Sequence, residues 1–131
     1  MQQLRTGAFT RTTLWILASP IILLMLTGFL TESTEARQRN NVAYASVTTL
    51  RSQLAGAKGF KVETMRVTDA GAACIQYRIL DAGGRLKRGQ AVVVDKEITQ
   101  DGRHGDRFEK AWNRQCLGPA YDVTDAVDHF F

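Results

Sequence analysis

The chain has 131 residues and carries 17 Lys and Arg against 13 Asp and Glu, a net charge of +4. With 44% hydrophobic and 23% charged residues it is neither disordered nor fibrous, and its length admits one small domain plus a leader. There is no internal repeat, phosphate-binding loop, Gly-x-Ser-x-Gly or Cys/His zinc spacing, so the common nucleotide-binding, serine-hydrolase and zinc-module classes are excluded and no cofactor is expected.

Leu14–Leu30 is an uncharged apolar run of 17 residues. Arg5 and Arg11 precede it, and Glu32 and Glu35 follow. A signal peptide needs an apolar region of about 7–15 residues and a spanning helix about 17–25, so the run sits on the border. Two readings stand. Residues 1–36 are either a signal anchor that holds Leu14–Leu30 in the membrane or a cleaved signal peptide, with Thr31-Glu32-Ser33 or Thr34-Glu35-Ala36 before the cut. In both, the arginines keep the N-terminus cytoplasmic and place residues 37–131 outside. Residues 1–36 hold two basic and two acidic side chains, so the remaining 95 keep the whole net charge of +4. A domain of that size has a small core.

Thr31–Asn41 is polar and reads as a linker or as a solvated extension of a helix. From Val42 the pattern is helical. Ala43, Val47, Leu50 and Leu54 recur at four, three and four, Asn41 is a candidate cap, and Gly56 or Gly59 a stop. Two turns of stripe are too short for a coiled coil, so this face is expected to pack on a core.

Three strands follow. Phe60–Thr68 is β-branched and aromatic, and Asp69-Ala70-Gly71 is a turn signal. In Ala72–Leu80, Ala73, Ile75, Tyr77 and Ile79 face one way, while Cys74, Gln76 and Arg78 face the other. Asp81-Ala82-Gly83-Gly84 is a second turn, in which at least one glycine is expected at positive φ. Arg85–Asp95 ends in the apolar run Ala91–Val94. These segments predict an antiparallel meander of three strands, or four if a short strand forms about Ile98 in the polar stretch Lys96–Gly105. Asp106-Arg107-Phe108-Glu109 has capping-box spacing, so Asp106 is expected to cap a last helix that carries Phe108, Trp112 and Cys116 on one face. Gly118-Pro119 stops it, and a further short helix can start near Asp125. The predicted fold is α+β: an N-terminal apolar helix, then a small antiparallel meander of three to four strands flanked by two helices.

The only cysteines are Cys74 and Cys116, and export sends both to an oxidising compartment. Packing Trp112 on the sheet brings Cys116 toward the middle strand. The expectation is one disulfide closing a loop of about 40 residues, which stabilises by roughly 3–4 kcal/mol; two buried thiols are the alternative.

Candidate chemistry is sparse. Asp101, His104 and Asp106 could ligate a metal from one loop, and Asp125, Asp128 and His129 form a second cluster, but neither spacing is specific. Arg78, Arg85, Lys87 and Arg88 flank the second hairpin and form a candidate patch for an anionic polymer, lipid headgroups or an acidic protein. Nucleic acid is excluded as a partner outside the membrane, because no aromatic side chains interleave with the charge.

The run FKVETMRVTDAGAACIQYRILDAGGRLKRGQAVV, followed by AWNRQC, resembles a group of small exported proteins of Gram-negative bacteria to which no activity is assigned. The shared features are a Phe-x-Val strand, a Val-x-Asp-x-Gly hairpin, a Cys-x-x-Tyr-Arg strand, a strand entering Gln-Ala-Val and a late Trp-Asn-x-x-Cys. They span about Leu50–Cys116, roughly half the chain. Ala55–Gly59 and the turn Asp81–Gly84 depart from the group's pattern. The resemblance implies an envelope location and a cysteine pair. The resulting expectation is a non-enzymatic binding domain facing the periplasm, from an inner-membrane anchor or free after cleavage. The alternatives are a small inhibitor of an envelope hydrolase and a metal-dependent hydrolase using His104.

Overall fold

A computed structural model of the chain describes residues 34–129. The apolar run Leu14–Leu30 and the cleavage candidate at 31–33 lie outside them. Among the described residues no helix is long and apolar enough to cross a membrane. The chain separates into two units, Met1–Ala36 and Arg37–Phe131, and the sheet lies in the second.

Residues 34–53 are helical (α1). The segment before Val42 is therefore a solvated stretch of helix rather than a linker, and Asn41 lies inside the helix instead of capping it. Its position shows why sequence misplaced the start: residues 34–41 are almost all exposed, so they carry no apolar period. Ala43, Val47 and Leu50 are fully buried on the expected stripe.

The strands are β1 (Lys58–Val67), β2 (Ala73–Leu80), β3 (Leu86–Val94), β4 (Glu97–Gln100) and β5 (Tyr121–Asp122). Helix α2 (Asp106–Gln115) lies between β4 and β5, and α3 (Thr124–Asp128) follows β5. The sheet order is β4-β3-β2-β1-β5, and every pairing is antiparallel. The fold is thus α+β, with five strands and three helices among the described residues. The fifth strand went unread because two residues after Gly118-Pro119 show no alternation.

The expected alternation in β2 holds. Ala73, Ile75 and Tyr77 enter a core with Met65, Val67, Ala91, Val93, the α1 stripe and Val127 of α3. Cys74, on the opposite face, joins a smaller cluster with Val92, Phe108 and Cys116. The sheet therefore has α1 and α3 on one face and α2 on the other. Helix α2 reaches only part of its face: Gln76, Arg78 and Gln90 on the same side are only half-buried.

One local reading is corrected, and the short strand expected about Ile98 is present. Gly105 occupies the cap position of α2 and no side chain caps the helix; Asp106 is its first residue, where its charge still suits the helix dipole. Residues 97–100 form a real strand, joined to β3 by Asp95 and Lys96, both at positive φ (48° and 67°). That geometry suits a tight two-residue hairpin, but the Asn-Gly or Asp-Gly that would announce it is absent.

The Asp81–Arg85 turn shows its own logic. The Asp81 carboxylate accepts the Gly83 and Arg85 backbone N–H groups at 2.9 and 2.8 Å, and its carbonyl accepts that of Gly84. Gly84 sits at φ 77°, whereas Gly83 is not in the left-handed region. Gly84→Val should therefore cost about 1–2 kcal/mol, since a β-branched residue resists that conformation. Gly83→Val should change stability by no more than about 0.5 kcal/mol. Urea melts of the two variants check the asymmetry; equal losses would place the turn differently.

Candidate functional site

Cys74 and Cys116 are bonded, with Cα atoms 5.8 Å apart and a sequence separation of 42. The bond ties the end of α2 to the middle strand. Phe108 fills the space beside it, and Trp112 stacks on Phe108 with ring centroids 5.6 Å apart. The Arg66 guanidinium donates to the Cys116 carbonyl at 2.7 Å, a cation on the carbonyl end of the helix. Replacing both cysteines by alanine should cost about 3–4 kcal/mol in urea melts. Thiol counting on the unfolded, unreduced protein should find none free; two free thiols per chain would refute the bond.

The four basic residues of the hairpin do not share a face. Arg78 pairs with Arg88 across β2 and β3, on the α2 side, and Lys87 pairs with Ile79 on the core side. Arg85 lies in the turn, 3.7 Å from the Asp81 carboxylate. Arg88 bonds Glu63 at 3.2 Å. Arg78 and Lys87 have no ion pair among the described residues. Beyond the Arg78–Arg88 row comes the last pair of the hairpin, Leu80 and Leu86, exposed by 37% and 55%. The open end of the sheet's α2 face thus carries two exposed leucines next to two arginines.

The residues of the acidic and histidine clusters lie in turns and at helix ends. The His104 Nδ1 accepts the Gln100 backbone N–H at 2.9 Å and closes the turn before α2. Asp106 starts that helix. Asp128 pairs with Lys61 at 3.6 Å, and His129 ends α3. Among the described residues no three His, Cys, Asp or Glu side chains converge as a metal site would need. Asp122 fixes the start of α3. It accepts the Thr124 hydroxyl and backbone N–H at 2.6 and 2.9 Å, which holds its carboxyl below the usual carboxylate range. Since that group is ionised more readily when folded, its contribution is present at neutral pH and fades as pH falls through its lowered pKa.

A second locus was not legible in sequence. Gln100 closes β4 on the core face, opposite Ala91, and is only 4% exposed. Its Nε2 has no hydrogen-bond partner among the described residues. It lines a cleft of about 300 Å³ together with Tyr77, Gly89, Lys87 and Arg88, at the end of α1 marked by Leu54. Gly89 faces Tyr77 across the sheet, and a Cβ there would come within 2.5 Å of the Tyr77 ring. Only glycine lets the ring lie flat across β3. Burial, and the Asp101 carboxylate beside it, push the Tyr77 phenol above its ordinary pKa, so it remains an O–H donor.

A buried amide nitrogen without a partner destabilises the fold. Gln100→Met keeps the length of the side chain and removes the polar group. The expected outcome is a gain of about 1 kcal/mol in thermal or urea unfolding. A loss of stability would show that the amide is satisfied in the folded protein.

Comparison of the chain with family models, with curated proteins and with solved structures finds no match in any of the three.

Proposed function

We propose that residues 37–131 form a non-enzymatic binding domain facing the periplasm, and that the open end of the sheet's α2 face contacts an acidic protein of the envelope. The carrying observation is the exposed Leu80–Leu86 pair beside the Arg78–Arg88 row, left uncovered because α2 is short and fixed at the other end of the face. Apolar side chains rimmed by arginine are a composition favoured at protein interfaces. The disulfide supports an oxidising compartment, as do the leader and the resemblance to exported proteins of Gram-negative bacteria. Leu14–Leu30 would be the membrane contact in the anchored form.

The test is photocrosslinking in living cells from a reactive residue at position 86, compared with one at exposed Gln53 on α1. A discrete adduct from position 86 alone, abolished by Arg78→Glu, is the expected result. Arg78→Glu should change stability by no more than about 0.5 kcal/mol, because its side chain makes no ion pair. Equal labelling from both positions would overturn the reading.

A further inference from the structure

We propose that the end of the sheet nearest the start of α1 rests on the phospholipid surface, with Leu117 and Tyr121 at the level of the headgroups. This contact rests on the anchored reading of Leu14–Leu30. It concerns the end of the domain opposite the Leu80–Leu86 pair.

The direction of α1 defines this end. Val42, Ala45 and Thr49 stand beside Gly71, Asp95 and Lys96, whereas Leu54 stands beside Tyr77 and Ile79. The start of α1 therefore lies at the end of the sheet where Val67, Ala73 and Val93 pair side by side. The Arg39 guanidinium stands 3.9 Å over the Tyr121 ring, and Tyr121 pairs with Val67, so β5 is at the same end. The loop that holds Leu117 runs from Cys116, bonded to Cys74 opposite Arg66, to Tyr121, and so crosses this end as well. Only residues 31–36 separate Leu30 from Arg37, and six residues reach at most about 22 Å even when extended. An anchor would therefore hold this end of the domain within reach of the membrane, with the Asp81–Gly84 turn at the far end.

The side chains at this end suit a boundary between lipid and water. Leu117 is 70% exposed and Tyr121 45%, four residues apart in one loop. A lone exposed leucine is ordinary on a protein surface, so its place beside the tyrosine and near the anchor carries the assignment. Tyrosine is enriched at headgroup depth, because its ring is apolar and its hydroxyl is wet. Arg37, Lys96 and Arg114 are exposed at the same end, and none has an ion pair among the described residues. Their long stems can lie along the lipid boundary while the charged ends reach phosphate. Asp69, Asp95 and Asp122 offset these charges at the same end, so the contact should form on neutral phospholipid and does not need an anionic one. One leucine and one tyrosine hold lipid weakly by themselves. An anchor makes the contact intramolecular, so a weak interaction suffices.

The experiment uses the full chain, labelled with nitrogen-15, in phosphatidylcholine nanodiscs, with and without a lipid that carries a gadolinium chelate on its headgroup. Loss of amide signal reports closeness to the headgroups. The expected result is a several-fold stronger loss at Gly118, Tyr121 and Lys96 than at Gly83 and Gly84 in the far turn. Leu117→Glu should remove most of that difference while the other resonances keep their positions, because the side chain it replaces is exposed. Gln53→Glu, on the exposed side of α1, should leave the difference unchanged. Equal loss at both ends, or a difference that survives Leu117→Glu, would overturn the contact. Shifts at these resonances that follow the number of chains per disc, without loss caused by the lipid, would assign this end to a second copy and overturn it too. Mass spectrometry of the chain from cells tests the anchor separately. A mature N-terminus beyond Leu30 would overturn the proposal at its premise. A chain that keeps Leu14–Leu30 and shows equal loss at both ends would leave the anchor and overturn the contact alone. None of these outcomes bears on crosslinking from position 86.

Discussion

The Cys74–Cys116 bond is the constraint on which the rest of the molecule depends. The chain leaves β4 at one edge of the sheet and must pair β5 with β1 at the other. The only element that makes this crossing is α2, ten residues long, with Phe108 as its one buried residue. Burying a single aromatic side chain stabilises by about 1.5–3 kcal/mol, too little to hold a crossing segment securely. The disulfide adds a comparable or larger amount by restricting the unfolded chain, and it acts at the end of the helix that apolar contacts leave weakest. Arg66, bonded to the Cys116 carbonyl and one strand away from Cys74, holds the same corner from β1. Beyond it Val123 and Thr124 bond Met65, which carries Val127 into the main core.

The staple also decides what stays open. Because it seats α2 over Cys74 and Val92, the other end of that face has no helix to cover it. The polar rows Gln76–Gln90 and Arg78–Arg88 and the leucine pair beyond them are a geometric result of where the bond lies. On the opposite face the same hairpin end runs past the last turn of α1, and the cleft around Gln100 forms where the α1 stripe ends at Leu54. Both candidate surfaces therefore come from helices that are shorter than the sheet they cover.

Much of the fold was legible, and for identifiable reasons. The period-two pattern of Ala72–Leu80 assigned each side chain to its correct face, and the helical spacing of Phe108, Trp112 and Cys116 brought the second cysteine to the first. These signals are local and repeat several times. What failed was written in single residues or in none. Asp95-Lys96 makes a tight hairpin without the usual residues, so the turn was invisible. Tyr121–Asp122 is a strand only because β1 has a free edge beside it. Gly105 caps α2 through its backbone position, with no side-chain signature. The candidate sites divide in the same way. Arg78 and Arg88 could be found from charge, but Gln100 could not, because a lone glutamine in a polar stretch gives no sign that its backbone will place it in the core.

The hairpin charges show most clearly why a cluster in sequence is not a patch in space. Lys87 and Arg88 are neighbours in the chain, yet strand alternation sends them to opposite faces of the sheet. Arg88, with Arg78 opposite it, belongs to the open face beside α2, where Glu63 already offsets part of its charge. Lys87, opposite Ile79, lies at the cleft that Gln100 and Tyr77 line, and Arg88 lines that cleft as well. A shift of one residue in register would exchange them and would also turn Ala91 and Val93 out of the core, so the burial of those two residues fixes the face on which each cation stands. The same apolar alternation that builds the core thus sends neighbouring cations of one basic segment to opposite faces of the sheet.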